Sequence, residues 1–472
     1  MVGLPLELLL LGRLLARDQD LELAELLQAL QQRGALAREL QGSAADPLQA
    51  RGLCAGFQLI WDGLSPLERR LGRLLAELPS TAVPWELLAR CCPPEIDPHD
   101  WQEARLELEQ QHLIERPFAR LLQMHPLLHD LFAAQAGETE AAELRAPLAD
   151  ALVPWLAGIS DVLEARSRER QKRCLPLLEG IAHGPAGRWR GAAVAWTHLA
   201  RGRLLSGLGA YGPAEEALKT ALGQLRESAA GSCNVALEAG CRVALAGIAR
   251  ERGQLQEAEA QCRQALAVLE AVEAGDPDGG DPGSAFPLER AEGLNGLGLA
   301  LLAQDQPEAE AALRQALDLR LQQLDGGDRL VQISRTNLAM SLRRLGRAPE
   351  AEALYQKVLT TLEDETCEVA VKARNNLSFL AEDTGDLERA HSLRQEAVAL
   401  AALALGVDHP SRGVLLMNLG VVAEKLGHLK EAEAHYRNAA RLTSIAWGDD
   451  HPLSRQTQET LEVFLASDTT LA

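Results

Sequence analysis

The chain has 472 residues, of which 47% are apolar and only 3% aromatic, so its core must be built mainly from aliphatic residues; Ala and Leu, the best helix formers, suit a helical protein. Its formal charge of -20 disfavours broad binding to nucleic-acid phosphates. Its 8 cysteines form no CxxC pair, which argues against a metal or disulfide framework and favours buried free thiols, such as Cys241 and Cys262, in a reducing cytoplasm.

The first residues, MVGLPLELLLLGRLLA, are apolar but do not form a signal peptide. They lack a basic amino-terminal segment, and Glu7 interrupts the apolar run. No stretch approaches the ~18 uncharged apolar residues that a membrane span needs. We expect a soluble, cytoplasmic protein that begins with a helical segment over residues 1–60.

Residues 61–136 carry the pattern of three helices followed by a two-stranded hairpin and a closing helix. The helices are expected at 64–78, 83–91 and 97–113, the strands within 112–125, and the closing helix at 125–135. Pro84 stands near the first turn of the second helix, where proline is tolerated. This order predicts a winged-helix domain. Its third helix is acidic, which argues against insertion into a DNA groove.

Two motifs in this part of the chain share a family resemblance. GLPLELLLLGRLL (3–15) resembles the GLPLAL motif that opens a helical ARC segment, and MHPLLHD (124–130) resembles the His-Asp motif that follows the wing. Both occur in the order found in NB-ARC (STAND) signalling NTPases, and the resemblance makes His125 the counterpart of a nucleotide-contacting histidine. That family's nucleotide-binding core should precede the GLPL motif. Since the chain contains no GxxxxGK[ST] loop, we expect no bound nucleotide and no other cofactor.

Six segments after residue 190 share one pattern of turn residues and small residues. A turn residue ends the first helix of each segment, at Gly209, Gly253, Gln304, Gly346, Gly385 and Gly427. Small residues recur five and twelve positions later, at Ala214, Ala258, Ala309, Ala351, Ala390 and Ala432, and at Ala221, Ala265, Ala316, Val358, Ala397 and Ala439. Glycine adopts the backbone angle that ends a helix, and small side chains let two helices approach closely. One hairpin cannot bury its apolar face alone, so the pattern predicts a stack of repeats.

Two linkers, LGVDHP (405–410) and WGDDHP (447–452), recur in successive segments, together with NLA or NLG on the first helix. These features resemble tetratricopeptide repeats of the kinesin-light-chain-like class, over about residues 190–465. The resemblance implies an all-α fold, in which a right-handed α-solenoid of at least six repeats follows the small winged-helix domain. PLSRQTQETLEVFLA (452–466) is expected to be a capping helix, and GDPDGGDPG (275–283) an exposed loop.

Asparagine recurs nine residues before the turn residue in four repeats, at Asn295, Asn337, Asn376 and Asn418. Asparagine is a mediocre helix former, so its recurrence at one position calls for a reason. In tetratricopeptide proteins this position resembles the groove asparagine that hydrogen-bonds the backbone of a bound peptide, and an amide offers both donors and acceptors. Repeats one and two carry Ala200 and Ala244 there. The alternative is that these asparagines only bridge neighbouring helices or contact water.

Further polar residues lie at neighbouring groove positions, namely Asn375, Lys372, Arg343 and Arg344. In an acidic protein, basic groove residues favour an acidic peptide. The alternative is that they belong to a solvated helix face, and the acidic residues Glu382, Asp383 and Glu424 at the groove rim weaken the argument for a basic groove.

Histidines and Asp–His pairs elsewhere in the chain do not predict a metal site or a catalytic site. His125 and His129 are four residues apart but have no third ligand nearby, so we expect no metal site. Asp408–His409 and Asp450–His451 occupy equivalent linkers, which favours a turn or helix-start role over acid–base catalysis. No Gly-x-Ser-x-Gly elbow or catalytic cysteine frame occurs, and the chain is not expected to be an enzyme.

The predicted organisation is an ARC-like segment (1–60), a winged-helix-like domain (61–136), a helical linker (137–189) with the basic run RSRERQKR (166–173), the repeat array (190–451), and a capping helix and tail (452–472). The leading hypothesis is a non-catalytic scaffold that binds a protein or peptide partner in its concave groove. The alternative is the sensor portion of a STAND-type switch that works with a nucleotide-binding chain. DNA binding through the winged helix is the weakest of the three hypotheses, and neither nucleic acid nor a membrane is expected as a partner.

Overall fold

The computed structural model describes residues 57–135, 137–159, 165–183, 189, 192–227, 232–273, 286–362, 367–407, 409–449 and 451–468. Contacts divide the chain into two compact units: Met1–Ile159 with Arg173–Thr197, and Ser160–Lys172 with His198–Ala472. The GLPL motif, the loop at 275–283, Asp408 and Asp450 lie outside the described residues. Among the described helices, none combines the length and the hydropathy needed to cross a membrane.

The first unit combines helices of 5 to 22 residues with one small sheet. After helical residues 57–63, its elements are α1 (Pro66–Glu77), β1 (Val83–Pro84), α2 (Trp85–Ala89), α3 (Pro98–Gln110), β2 (Ile114–Phe118), β3 (Leu121–Met124), α4 (Pro126–Ala133), α5 (Glu138–Ile159) and α6 (Ala165–His183), of which α6 runs into both contact groups. Helix α1 starts with a capping box, in which Ser65 and Glu68 exchange side-chain and backbone hydrogen bonds. The order of helices and hairpin strands agrees with the sequence prediction.

The sheet contains one strand that the sequence analysis missed. β3 lies between β1 and β2, and both pairings are antiparallel. The predicted helix at 83–91 is wrong at its start, because Val83 and Pro84 pair with β3 and the helix spans only Trp85–Ala89. Pro84 has extended backbone angles and no N–H to donate, which suits a short edge strand. Assignment of this unit to the winged-helix class stays a prediction.

The core of the first unit is aromatic at one end. Phe57, Trp61 and Phe132 contact one another with ring centroids 5.1–5.9 Å apart. Gly72 on α1 permits this packing, because a Cβ there would lie 2.1 Å from Phe132 Cε1. Helix α5 is attached to α1 by Arg145, whose Nε donates to the buried Glu77 carboxylate at 2.6 Å.

Six helical hairpins followed by one more helix are described after residue 190, and they form an all-α solenoid. They belong to the second unit, except that residues 192–197 group with the first. The hairpins are α7 (Ala192–Gly207) with α8 (Tyr211–Glu227), α9 (Ser232–Glu251) with α10 (Leu255–Glu273), α11 (Pro287–Ala303) with α12 (Ala309–Gln323), α13 (Arg329–Arg344) with α14 (Ala348–Thr361), α15 (Glu368–Asp383) with α16 (Leu387–Ala404), and α17 (Pro410–Lys425) with α18 (Leu429–Trp447). The last helix is α19 (Pro452–Asp468). We call the first helix of each hairpin helix A and the second helix B.

Five of the six predicted turn residues are confirmed, and one is wrong. Gly209, Gly253, Gly346, Gly385 and Gly427 all have φ between 74° and 82°. In the third repeat the left-handed residue is Asp305 (φ 55°), whereas Gln304 is the helix cap with φ −95°. The next N–H, of Gln306, donates to Leu301 O at 2.9 Å, as Arg347 does to Leu342 O in the following repeat. Asn295 therefore lies ten residues before its turn residue, not nine like the other three asparagines.

The small residues of helix B are confirmed as the contact points within hairpins. All twelve predicted positions are buried, with exposed fractions of 0 to 1%. Tyr355, Tyr436 and Leu218 fill the position four residues after the first alanine, and they too are fully buried. Repeat five places Arg394 at this position, and its side chain is buried as well. Short side chains thus set the helix spacing, and in these four repeats one larger side chain fills the gap.

Polar contacts join each helix B region to the next repeat. At four junctions the earlier repeat supplies a carboxylate: Glu215 with Arg252, Glu259 with Gln304, Glu310 with Arg347, and Glu352 with Arg389. At the fifth junction the order is reversed, because His391 of repeat five contacts Glu431 of repeat six at 3.2 Å. The last junction therefore has different chemistry from the other four.

The predicted helix after the last repeat is present and packs on α18. The Phe464 ring lies against the buried Tyr436 ring, with centroids 5.2 Å apart. The hydroxyls of Thr443 and Thr457 are 2.7 Å apart in a buried hydrogen bond. Helix α19 therefore covers apolar surface that a seventh hairpin would otherwise bury.

Six described cysteines are free thiols, and five of them are buried. Burial raises the pKa of Cys241 and of Cys262 to about 12, so both are protonated at neutral pH. The prediction that these two residues act as small apolar side chains is confirmed.

Candidate functional site

The predicted asparagines lie half-buried on helices A of repeats three to six. Asn337 Nδ2 donates to Asn295 Oδ1 at 2.9 Å, across α13 and α11. Asn418 Nδ2 is 3.4 Å from Asn375 Oδ1, across α17 and α15. In both pairs, an asparagine nine residues before its turn donates to one ten residues before the preceding turn. The amides of Asn295, Asn337 and Asn418 therefore bridge neighbouring helices, as the alternative interpretation holds.

The bridging hydrogen bonds leave some donors and acceptors of these amides unused. An amide has two N–H donors and an oxygen with two lone pairs, and each pair uses one donor and one lone pair. The half-buried Asn295 and Asn337 keep further donors and acceptors, and the bridge fixes the orientation of both amides. Asn376 lies beside the buried hydroxyl of Tyr355, whose pKa is raised mainly by burial.

A cavity of about 490 Å³ runs along the helices A of repeats two to five. We call it the helix-A groove. Its polar lining comes from α9, α11, α13 and α15, and includes Asn295, Asn337, Asn376, Arg344, Lys372 and Arg329. Leu299, Ile333 and Met340 supply apolar surface between them. A second cavity of about 210 Å³, between α9 and α11, shares Arg250, Asn295 and Leu299 with the groove.

Cations outnumber carboxylates in the helix-A groove. Four basic side chains line it, Arg250, Arg329, Arg344 and Lys372, against two acidic ones, Glu251 and Glu368, so the lining carries 4 − 2 = +2 charges. This local excess lies in a chain whose formal charge is -20. The groove is therefore a positive region of an acidic protein.

Most of these cations already have partners within the array. Arg250 contacts Glu251 at 2.9 Å, and Lys372 contacts Glu368 at 2.9 Å. Arg344 Nη1 donates to Leu302 O at 2.6 Å and to Asp305 Oδ1 at 2.9 Å.

Arg329 differs from these three cations. It is half-buried and has no hydrogen bond or ion pair with any residue that the structure describes. It stands at the start of α13, between the helices that carry Asn295 and Asn376. Its guanidinium keeps all five N–H donors available for a ligand.

Three of the predicted groove residues do not line this cavity. Arg343 contacts Asp383 at 2.7 Å and lies over the Phe379 ring, 5.3 Å from its centroid. Asn375 and Asn418 form their pair further along the array. The structure thus brings together Asn295, Asn337, Asn376, Lys372 and Arg344, and separates them from Arg343.

The sequence analysis missed Arg250 and Arg329 as groove residues. Repeat two lacks the asparagine, since Ala244 occupies that position, yet its Arg250 lines both cavities. Arg250 lies three residues before its turn glycine, as Arg343 does in repeat four, but this position is no signal for the groove because Arg343 lies outside it. Arg329 gave no signal, because it lies before the repeating part of helix A.

The histidines considered for metal binding or catalysis mostly begin helices. His125 Nδ1 accepts from Leu127 N at 3.2 Å, whereas His129 is buried with Nε2 2.6 Å from Leu78 O. His409 Nδ1 and His451 Nδ1 each accept from the N–H two residues later, at 3.2 Å. The predicted helix-start role of His409 and His451 is confirmed. The proposed nucleotide role of His125 stays a prediction.

Comparison with known families identifies the repeats. A tetratricopeptide repeat model matches residues 289–364 and 369–444, and a second tetratricopeptide repeat model matches residues 239–278. These segments coincide with hairpins that the structure describes between α9 and α18. A comparison with curated proteins finds no match.

Several solved structures are similar over parts of the chain. A BtubC (BKLC) protein from P. vanneervenii is 23% identical, covering 50% of this chain and 92% of that one, with a TM-score of 0.39. A STAND protein with a tetratricopeptide repeat sensor from Pyrococcus horikoshii is 13% identical, covering 92% and 68%, with a TM-score of 0.48. A Rap protein complexed with Competence and Sporulation Factor is 14% identical, covering 68% and 89%, with a TM-score of 0.48.

Proposed function

We propose that the tetratricopeptide repeat array is a non-catalytic binding module, which captures an extended peptide segment of a protein partner in the helix-A groove. Tetratricopeptide repeats support a protein-interaction or sensor role. The observation that carries the proposal is one cavity lined by helices A of four successive repeats. It holds oriented amides and an arginine, Arg329, that has no hydrogen bond or ion pair with the described residues. An extended segment presents backbone N–H and C=O groups in series, which amides can recognise without regard to sequence.

We assign to the asparagines the recognition of the bound peptide's backbone. Asn295 and Asn337 are held by their mutual hydrogen bond, so little side-chain entropy remains to be lost when a ligand binds. Asn376 extends the row into repeat five, and Asn418 with Asn375 extends it into repeat six.

We assign acidic side chains to the peptide segment that binds in the groove. Arg329 has no carboxylate partner among the described residues, and Lys372 is 59% exposed although it contacts Glu368. A carboxylate on the ligand would bind the Arg329 fork in two parallel hydrogen bonds, which are stronger than hydrogen bonds between neutral groups. Arg343 lies outside the groove, with its guanidinium on Asp383, and has no role in this proposal.

Selection from a displayed library of random peptides against the full chain tests the proposal. We expect the selected peptides to be enriched in Asp and Glu and to bind more weakly as salt is raised. A hydrogen bond contributes about 1 kcal/mol, so Asn337→Ala with Asn376→Ala should weaken a selected peptide about tenfold or more in fluorescence anisotropy. Arg329→Gln should weaken acidic peptides by a similar factor and neutral ones much less.

Two substitutions on exposed positions of α18 serve as matched controls. Asn438→Ala removes an amide and Arg437→Gln removes a charge, both outside the groove. Circular dichroism verifies that every variant is folded. Selected peptides that bind the groove variants and the controls equally well would exclude the groove as their site.

A further inference from the structure

Three histidines and a glutamate meet where helix B of repeat five faces helix B of repeat six. His391 belongs to α16, His428 precedes α18, and Glu431 and His435 belong to its first two turns. We call these four residues the histidine cluster. Glu431 Oε1 is 3.2 Å from His391 Nε2 and 3.3 Å from His435 Nε2, and Glu431 Oε2 is 3.7 Å from His428 Nδ1. One carboxylate therefore lies among three imidazoles.

The repeat pattern does not account for these histidines. The residue that follows the first buried alanine of helix B is glutamate in the other five repeats, at Glu215, Glu259, Glu310, Glu352 and Glu433. Only repeat five has a histidine there, His391. His435 stands where the other repeats have Ala217, Gln261, Ala312, Leu354 and Leu393. Both departures occur at the same junction, which is also the one where the order of carboxylate and partner is reversed.

We propose that the histidine cluster binds a divalent transition-metal ion, with Zn²⁺ as the ion its ligands suit best. Imidazole nitrogens and a carboxylate oxygen are common zinc ligands, at Zn–N distances of about 2.0–2.1 Å. A tetrahedron of that size has edges of roughly 3.3–3.5 Å. The two shortest contacts to Glu431 Oε1, 3.2 and 3.3 Å, are hydrogen bonds in the ion-free chain and are close to this length.

The remaining ligand, His428, is close, and its ring lies edge-on to that of His391 with centroids 5.7 Å apart. The donor atoms of His391, His428 and Glu431 all lie within 4.8 Å of one another. His428 makes no capping hydrogen bond to α18, in contrast to His409 at the start of α17, so its ring can turn without breaking the helix start. Its side chain is 47% exposed whereas that of His391 is 10% exposed, which gives the ion a path from solvent to a partly buried site.

The bound ion would join repeats five and six. His391 comes from one repeat, and the other three ligands come from the next, so coordination closes a link across the junction. Gln395, which donates to Glu431 Oε1 at 3.2 Å from α16, is placed to hold that carboxylate in position.

Metal titration of the full chain tests the proposal. Metal-free protein is titrated with ZnCl₂ by calorimetry and, separately, with CoCl₂, since tetrahedral cobalt(II) absorbs visible light far more strongly than octahedral cobalt(II). We expect one ion per chain with the tetrahedral cobalt spectrum. His391→Gln and His435→Gln should each weaken zinc binding at least about tenfold and weaken that spectrum. Glu431→Gln should do the same.

Two control variants address weak surface binding and the repeat junction. His99→Gln removes the exposed group His99, Asp100 and Glu103 of the first unit, which also gathers potential ligands. Glu352→Gln breaks the Glu352–Arg389 contact at the preceding junction without touching a histidine. Both controls should leave the tightest site unchanged. Zinc affinity that survives His391→Gln and His435→Gln in folded protein, or is lost in His99→Gln, would overturn the assignment.

Discussion

Three helices begin with a His–Pro pair, and in each the imidazole is the N-terminal cap, a role that Ser or Asp usually fills. Nδ1 of His125, His409 and His451 accepts from the backbone N–H two residues later, at 3.2 Å every time. Proline at the first helical position loses nothing, because that N–H has no partner within the helix. An imidazole can accept this hydrogen bond only while Nδ1 is unprotonated.

At His451 the direction of the pH effect follows from burial, which lowers the pKa of the imidazole below its ordinary value. The unfolded chain, with a His pKa of about 6.5, binds a proton more readily than the folded chain, so stability falls as pH drops below about 6.5. We expect amide hydrogen exchange in α19, corrected for intrinsic rates, to accelerate between about pH 7.5 and about pH 5.5, by at most about tenfold per pH unit. Hydrogen-exchange mass spectrometry measures it.

His451→Asn is the informative variant, because an amide caps a helix and does not titrate. Its α19 should lose the acceleration. Helix α13 provides an internal reference, since it contains no histidine and Asp328 accepts the backbone N–H of Leu330 at its start. An α19 that responds to pH identically in both proteins would disprove the role of His451.

Asp305 marks the limit of residue-level prediction. Five turn residues were predicted correctly because glycine adopts positive φ without strain. Asp also visits this region, but less often, so a repeat without glycine leaves the turn residue open to a one-residue error. Because of this error, the sequence analysis placed Asn295 nine residues before its turn residue, like Asn337. In the structure Asn295 lies ten residues before it, so the two amides are offset by one position. That offset is what lets one amide donate to the other.

At the scale of single helices, α16 departs most from its counterparts. Arg394 is 1% exposed at the position where the neighbouring repeats bury tyrosine. Its guanidinium donates to Ser378 Oγ at 3.0 Å, Asn418 O at 2.7 Å and Glu382 Oε2 at 2.5 Å. Arg394 thereby connects α15, α16 and α17. Burial lowers the pKa of Arg394, and Glu382 opposes that shift.

We expect Arg394→Ala to lower the free energy of unfolding by about 3 kcal/mol, because it leaves the Glu382 carboxylate, 16% exposed, with only Lys425 as its cationic partner. Combining Arg394→Leu with Glu382→Gln should cost much less, since no buried charge is left unpaired and most of the volume is kept. Urea unfolding followed by circular dichroism gives both values.

A surface pair provides the comparison for this measurement. Arg437→Ala breaks the exposed contact with Glu433 and should change stability by no more than about 0.5 kcal/mol. Equal losses in Arg394→Ala and in the double variant would contradict this expectation. They would show that the guanidinium hydrogen bonds to Ser378 and Asn418, which both variants lack, outweigh the unpaired Glu382 carboxylate.

The helices themselves were predictable, and so were five residues that line the helix-A groove, whereas the histidine cluster was not. Turn residues and buried alanines fix where each hairpin lies, and both are local signals. The helix-A groove and the histidine cluster join residues about one repeat apart, such as His391 and Glu431, whose meeting depends on how neighbouring helices are rotated. Strand β1 was missed for a related reason, since two residues pair only because β3 is beside them.

At the scale of the whole array, stability comes from contacts between neighbours. One buried cluster runs from Leu313 on α12 to Leu380 on α15, and another from Val371 to Leu442, so each joins more than one repeat. Such an array behaves approximately as a sum of repeat and nearest-neighbour terms. The effect of a destabilising substitution at one end of the stack should therefore decrease with distance along it.

Phe464 tests this property at the carboxy-terminal end of the array. Phe464→Ala removes a side chain that is 4% exposed and packs on Tyr436, at a local cost of about 3 kcal/mol. We expect hydrogen exchange to accelerate in α18 and α19, less in α17, and not at all in α9 to α12. Val463→Ala alters a neighbour that is 70% exposed and should change little. Uniform acceleration from α9 to α19 would instead show that the hairpins unfold as one cooperative unit, and that a ligand in the helix-A groove would stabilise every repeat equally.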